Sequence, residues 1–256
     1  MNPRHSEIIE LIRKEVKPAL GCTEPIAVAL AAAKAVEILE ERSNVSMRND
    51  KDLRIDVQVS ANILKNGMGV GIPGTGMVGL FIAAALGAVC GKSSYGLEVL
   101  QDFDEVSINK AKELVSKKYV RINLAETNKK LYIKAMVESA QIPGHQATAV
   151  IEDDHDNIAE IWYDNSLLAS SHRENAEEPQ KCTLDYGLTV KEIFDFAQSV
   201  PYEDIEFILE SRSLNLTLAE EGLRGKYGLR VGWAISLESS KEVFGDDFLS
   251  YAMSMT

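Results

Sequence analysis

From Asn66 to Gly91 the chain runs NGMGVGIPGTGMVGLFIAAALGAVCG without one charged residue. A stretch of that length could in principle span a membrane. Its first half, however, is glycine-rich around Pro73, and the dense apolar part, Leu80 to Cys90, is too short to cross a bilayer. The stretch therefore predicts a helix buried in a protein core. A second predicted helix, Thr23 to Arg42, is apolar on every side as far as Ala33 and amphipathic beyond it, which also marks burial. With 256 residues, 45% hydrophobic and 26% charged, the chain can enclose such helices in one large or two small domains.

Around these helices the periodicities are mixed. Ile8, Ile12 and Val16 share one face of a helix predicted over residues 5–17, which Pro18 ends. LRIDVQVS, Leu53 to Ser60, alternates apolar and polar as a half-buried strand does, and residues 107–118 predict a helix carrying Ile108, Ala111 and Val115 on one face. YVRINLAE, LYIKAMVES, ATAVIEDD and NIAEIWYD follow at short spacing with no helix-length insert, which predicts an antiparallel meander. Residues 166–188 read as a polar loop. TVKEIFDFAQSV, YEDIEFILESRSLNLTLAEEGL and the terminal DDFLSYAMSMT return to helical character. The expected fold is α+β, with helices at both ends packed on a central, mostly antiparallel meander. Residues 1–256 form one intertwined unit in this reading, helical over 1–118 and 189–256 and β-rich over 119–165.

A net charge of -12 and a pI near 4.9 argue against nucleic acid or an anionic membrane surface as partner, since both demand clustered Lys and Arg. A small molecule or a protein is expected instead. The N-terminal MNPRHSEIIELIRKEV is charged where a signal peptide is apolar. Cys22, Cys90 and Cys182 lie far apart with no CxxC spacing, so neither a disulfide framework nor a local metal site is indicated, which suits a cytoplasmic protein. Cys90 ends an apolar helix and fits core filling. The histidines, His155 among the acids of EDDHD included, fall in turns, loops or the terminus.

Gly74, Gly76 and Gly79 in GTGMVG satisfy the dinucleotide-binding pattern, with Glu98 about 20 residues on. That mechanism needs a tight strand feeding the first glycine, and NGMGVGIP is a poor central strand. Two other readings stay open: close packing of loop and helix against another backbone, or an anion site built from the same amides. Asn62, Lys65, Asn66 and Thr75 lie nearby and would suit an amino acid carboxylate.

KPALGCTEPIAVALAAAKAV sets Cys22 at the start of the first apolar helix. With Thr23 as N-cap, Glu24 and Pro25 occupy favoured first-turn positions and the thiol sits at the positive end of the helix dipole. There a thiolate is stabilised and the sulfur becomes a usable base or nucleophile, although Glu24 opposes this. A plain buried cysteine is the alternative.

PALGCTEPIAVALAAAKA, SANILKNGMGVGIPGTGMVGL and the later YGLRVG together resemble the N-terminal half of the L-cysteine desulfidase family, related to the α chain of iron-sulfur L-serine dehydratases. That resemblance implies α,β-elimination on L-cysteine or L-serine, giving pyruvate, ammonia and sulfide or water. It implies Cys22 as the base for the α proton, and Thr23, Glu24, Asn62, Lys65, Asn66 and Thr75 as substrate-binding residues. It also implies a [4Fe-4S] cluster whose cysteine ligands belong to a second, C-terminal half. The chain is accordingly expected to be a fragment, a truncated product or one part of a split enzyme, to bind no cluster and to be inactive alone, with a missing half or a homo-oligomer as partner. A non-catalytic amino-acid-binding or interaction module and a nicotinamide-binding protein are the other readings.

Overall fold

The computed structural model describes residues 3–16, 18, 21–171, 187–225, 230–237 and 253. Along these the helices are α1 (Pro3–Glu15), α2 (Thr23–Ser43), α3 (Ala61–Gly67), α4 (Leu80–Cys90), α5 (Glu105–Ser116), α6 (Val190–Ser199), α7 (Tyr202–Ile205), α8 (Leu209–Arg224) and α9 (Val231–Leu237). The strands are β1 (Arg54–Val59), β2 (Gly71–Ile72), β3 (Met77–Val78), β4 (Val120–Leu124), β5 (Tyr132–Glu138), β6 (Gln146–Glu152), β7 (Ile158–Tyr163) and β8 (Ser166–Ser170). The fold is α+β, as the mixed periodicities imply. The chain divides into two compact units, one of Met1–Pro18 with Glu177–Thr256 and the other of Ala19–Ala176.

The larger unit is a six-stranded sheet in the order β4-β1-β5-β6-β7-β8. Only β1 and β4 are parallel; the other neighbours are antiparallel. The four-strand meander is thus corrected at its first member, because β1 inserts between β4 and β5 and pairs along both edges. A parallel β1–β4 pair needs a crossover connection, and the chain supplies it through α3, α4 and α5. The expected loop over 166–188 is corrected in part: Ser166–Ser170 forms β8, joined to β7 by a tight turn with Asp164 at φ 52°. Cys182, His172 and most of DDFLSYAMSMT lie outside the described residues.

The two apolar helices cross over one sheet face. Ile55, Val57 and Val59, Ile133, Ala135 and Val137, and Ala147, Ala149 and Ile151 all point inward, and none is more than 1% exposed. Val57, Ala135 and Ala149 stand in register across three strands, a low spot in the surface beneath the alanine-rich α2. Arg48 closes the far end of α4, where Nη1 donates to the carbonyls of Gly87 and Ala88 at 3.3 Å. Both segments are therefore core helices, and no helix among the described residues is long and apolar enough to cross a membrane.

The smaller unit is helical. Thr189 and Glu192 form a capping box that starts α6, and Phe196 on that helix packs with Ile8 and Ile9 of α1.

Candidate functional site

Gly21 precedes α2 with φ +91°, a backbone conformation that side chains strain, and among the described residues no atom lies within 4 Å of where its Cβ would be. The glycine is there for its backbone angle. Cys22 follows with φ -67° and ψ 132°, so it is the N-cap, and Thr23 is already helical. This moves the cap one residue from the expected Thr23. The Cys22 side chain makes no capping bond. Instead, half-buried Sγ donates a 2.8 Å hydrogen bond to Oε2 of Glu24.

The other oxygen of Glu24 is also held: Nδ2 of Asn66, on α3, donates to Oε1 at 3.1 Å. Burial pulls the Glu24 carboxyl up, but hydrogen bonds from Cys22, its own amide and Asn66, together with the charge of His155, outweigh it and leave it below its ordinary value. The thiol moves the opposite way. Burial pushes it up, the hydrogen bond to Glu24 and that carboxylate's charge add to the rise, and only the Glu24 amide opposes, so it reaches about 11. The expected thiolate is therefore corrected. Desolvation and a neighbouring anion exceed the pull of the helix dipole, and at neutral pH sulfur holds the proton while Glu24 holds the charge.

His155 was legible only as one residue of an acidic turn between β6 and β7. It is half-buried and acts electrostatically on Glu24, a relation between distant segments that no local pattern announces. Asn62 and Lys65 stand at i and i+3 on α3, with Asn66 at i+4, so the three share a helical face. Both Asn62 and Lys65 are exposed, and among the described residues neither side chain has a hydrogen-bond or ion-pair partner.

Thr75 occupies a different environment. It is 2% exposed; Oγ1 donates to the Ile72 carbonyl at 2.7 Å and accepts from the Met77 amide at 3.0 Å, closing the β2–β3 hairpin. The same hairpin absorbs the glycine motif. The Gly79 amide bonds the Val70 carbonyl at 2.8 Å, and a Cβ on Gly79 would meet Met68 O at 2.8 Å. A Cβ on Gly67 would meet the Leu80 side chain at 2.3 Å. With two-residue strands around it, the run has no strand to feed a dinucleotide turn; close packing accounts for Gly67, Gly74 and Gly79, and Gly76 is there for its backbone angle, φ +66°.

The [4Fe-4S] cluster that the resemblance implies takes its cysteine ligands from a second half, and such clusters are held by convergent thiolates. Cys90 Sγ donates to its own helix at Leu86 O, 3.3 Å away, and among the described residues no three potential metal-binding side chains converge. The described residues do not by themselves fit the cluster. A cleft of about 460 Å³ lies on the open face of the sheet beside Asp56, Gln58, Asn123 and Tyr132, and none of the candidate residues lines it.

The chain is 43% identical over 251 residues to a UPF0597 protein of Bacteroides fragilis, a match covering 98% of the chain and 55% of that protein. It is 41% identical over 252 residues to a UPF0597 protein of Parabacteroides distasonis, covering 98% and 56%. A UPF0597 protein of Clostridium perfringens is 39% identical over 240 residues, 93% of the chain and 53% of that protein. The chain thus spans about half the length of the curated relatives it matches. No family model matches it, and no solved structure does. These relatives correct the resemblance to L-cysteine desulfidases: similarity along almost the whole chain leads to UPF0597 proteins.

Proposed function

We propose that the start of α2 and the facing side of α3 bind a small α-amino acid and remove its α proton, with elimination of the β substituent as the reaction. The observation that carries this reading is the chain Cys22 Sγ, Glu24, Asn66, in which one exchangeable proton lies between a half-buried thiol and an ionised carboxylate. Lys65 and Asn62 supply a cation and an amide for the substrate carboxylate. Thr23 borders the site as the first residue of α2.

In this reading Cys22 passes its proton to Oε2 of Glu24, and the resulting thiolate takes the α proton. The electron pair of the broken Cα–H bond forms Cα=Cβ and expels the β substituent, which collects the proton held by Glu24. Cys22 and Glu24 return to their starting states. The released 2-aminoacrylate tautomerises and hydrolyses to pyruvate and ammonia; L-cysteine would yield sulfide and L-serine water. In the resting arrangement the first transfer is uphill, and a substrate ammonium placed beside sulfur would favour it.

The test is exchange of the α hydrogen of L-cysteine and L-serine in D2O, followed by NMR, with pyruvate measured in parallel. Exchange that disappears in Cys22→Ala and Glu24→Gln supports the proposal. Wild-type protein that binds either amino acid and exchanges nothing sinks it. That second outcome is the signature of a non-catalytic amino-acid-binding module, which the protonated state of Cys22 favours.

A further inference from the structure

Among the described residues the buried cluster of the smaller unit is Ile8, Ile9 and Phe196. Yet α6 is strongly amphipathic: Val190, Ile193 and Phe194 recur at i, i+3 and i+4 on one face, and they are 84%, 50% and 62% exposed. On α8, Leu214 and Leu218 repeat the i, i+4 pattern at 53% and 44% exposure. Single exposed leucines are ordinary, but large apolar side chains repeating at helical spacing along a helix face mark a surface for a partner, and two helices carry one each. The surrounding charge narrows the occupant. Over residues 190–224 eight Asp and Glu stand against three Lys and Arg, so a second copy would bring like charges together.

We infer that the apolar faces of α6 and α8 dock a second stretch of polypeptide, apolar at its centre and basic at its rim. The stretch is the one making up the part of the UPF0597 relatives that this chain does not match. The Bacteroides fragilis protein is matched over 98% of this chain but only 55% of its own length, so it carries a large segment alongside residues like these. Whether that segment belongs to the same polypeptide or to another, the surface it needs is the same. This inference is independent of the chemistry proposed for Cys22.

The test is co-expression of the 256-residue chain with the unmatched segment of the Bacteroides fragilis protein, read by native mass spectrometry and by titration of the purified complex. A one-to-one complex is expected. Phe194→Ser and, independently on another helix, Leu218→Ser should each weaken it by about tenfold or more, with helical circular dichroism unchanged. Val106→Ser, which alters an exposed valine on α5, should leave it intact. Failure of the two polypeptides to associate, a complex indifferent to both substitutions, or a homodimer of this chain built on the same residues would each overturn the inference.

Discussion

A Cβ on Gly87 of α4 would stand 2.1 Å from the carbonyl oxygen of Ala29 on α2, so the backbones of the two core helices touch there. Gly91 repeats the approach one turn on, where a Cβ would come 2.8 Å from the Ala33 side chain. Gly87→Ala must push the helices apart. Overpacking of this kind costs about 1–3 kcal/mol, more than the roughly 0.8–1 kcal/mol alanine gains over glycine inside a helix. A lower midpoint in urea is the expected result, and a midpoint at or above wild type would show that α2 and α4 do not cross at this point.

Thr75 offers a clean separation between support and binding. Thr75→Val removes the hydroxyl that joins Ile72 O to the Met77 amide and should cost about 1–3 kcal/mol of stability, whereas Thr75→Ser keeps both bonds and should cost far less. Chemical denaturation of the two variants checks this. Equal destabilisation would mean that the threonine methyl, not the hydroxyl, holds the hairpin.

The buried helices were readable because their residues are apolar on all sides, which leaves a helix only one place to go. Alternation in Leu53 to Ser60 likewise revealed which side chains of β1 face the core. It could not reveal β1's neighbours, since alternation encodes faces and not edges, and the parallel partner β4 begins 61 residues after β1 ends. α3 escaped detection because seven residues ending in glycine carry too little periodicity. At the site, the nearness of Cys22 and Glu24 follows from their positions in one helix start. The direction of the thiol's shift does not, because the burial that dominates it comes from tertiary packing. Asn66 and His155 reach Glu24 from distant segments, which a linear pattern cannot register.

Lys65 and Asn62 test whether the face of α3 binds a ligand. Both are exposed, so Lys65→Ala and Asn62→Ala should change stability by no more than about 0.5 kcal/mol. If they hold a substrate carboxylate, calorimetric affinity for L-cysteine or L-serine should fall by about tenfold, equivalent to roughly 1.4 kcal/mol. Unchanged affinity in both variants would remove α3 from the site.

The pH behaviour of the Cys22–Glu24 pair has a defined sign. Glu24 is lowered in the folded protein, so the stability it contributes is present above its ordinary 4.5 and is lost as pH falls through its folded value. Cys22 is raised, so its contribution is present below its ordinary 9.0 and is lost as pH rises through about 11. The thiol should accordingly alkylate slowly at pH 7, with a rate that climbs until about pH 11. Glu24→Gln removes the carboxylate's charge and replaces its strongest acceptor while leaving burial in place, so the rate profile should shift to lower pH without reaching that of a free cysteine. Mass-resolved iodoacetamide labelling against pH, with Cys90 and Cys182 changed to alanine, gives the profile directly. A Cys22 that labels as fast at pH 7 as at pH 10 would mean that the thiolate already exists and that Glu24 does not hold its proton.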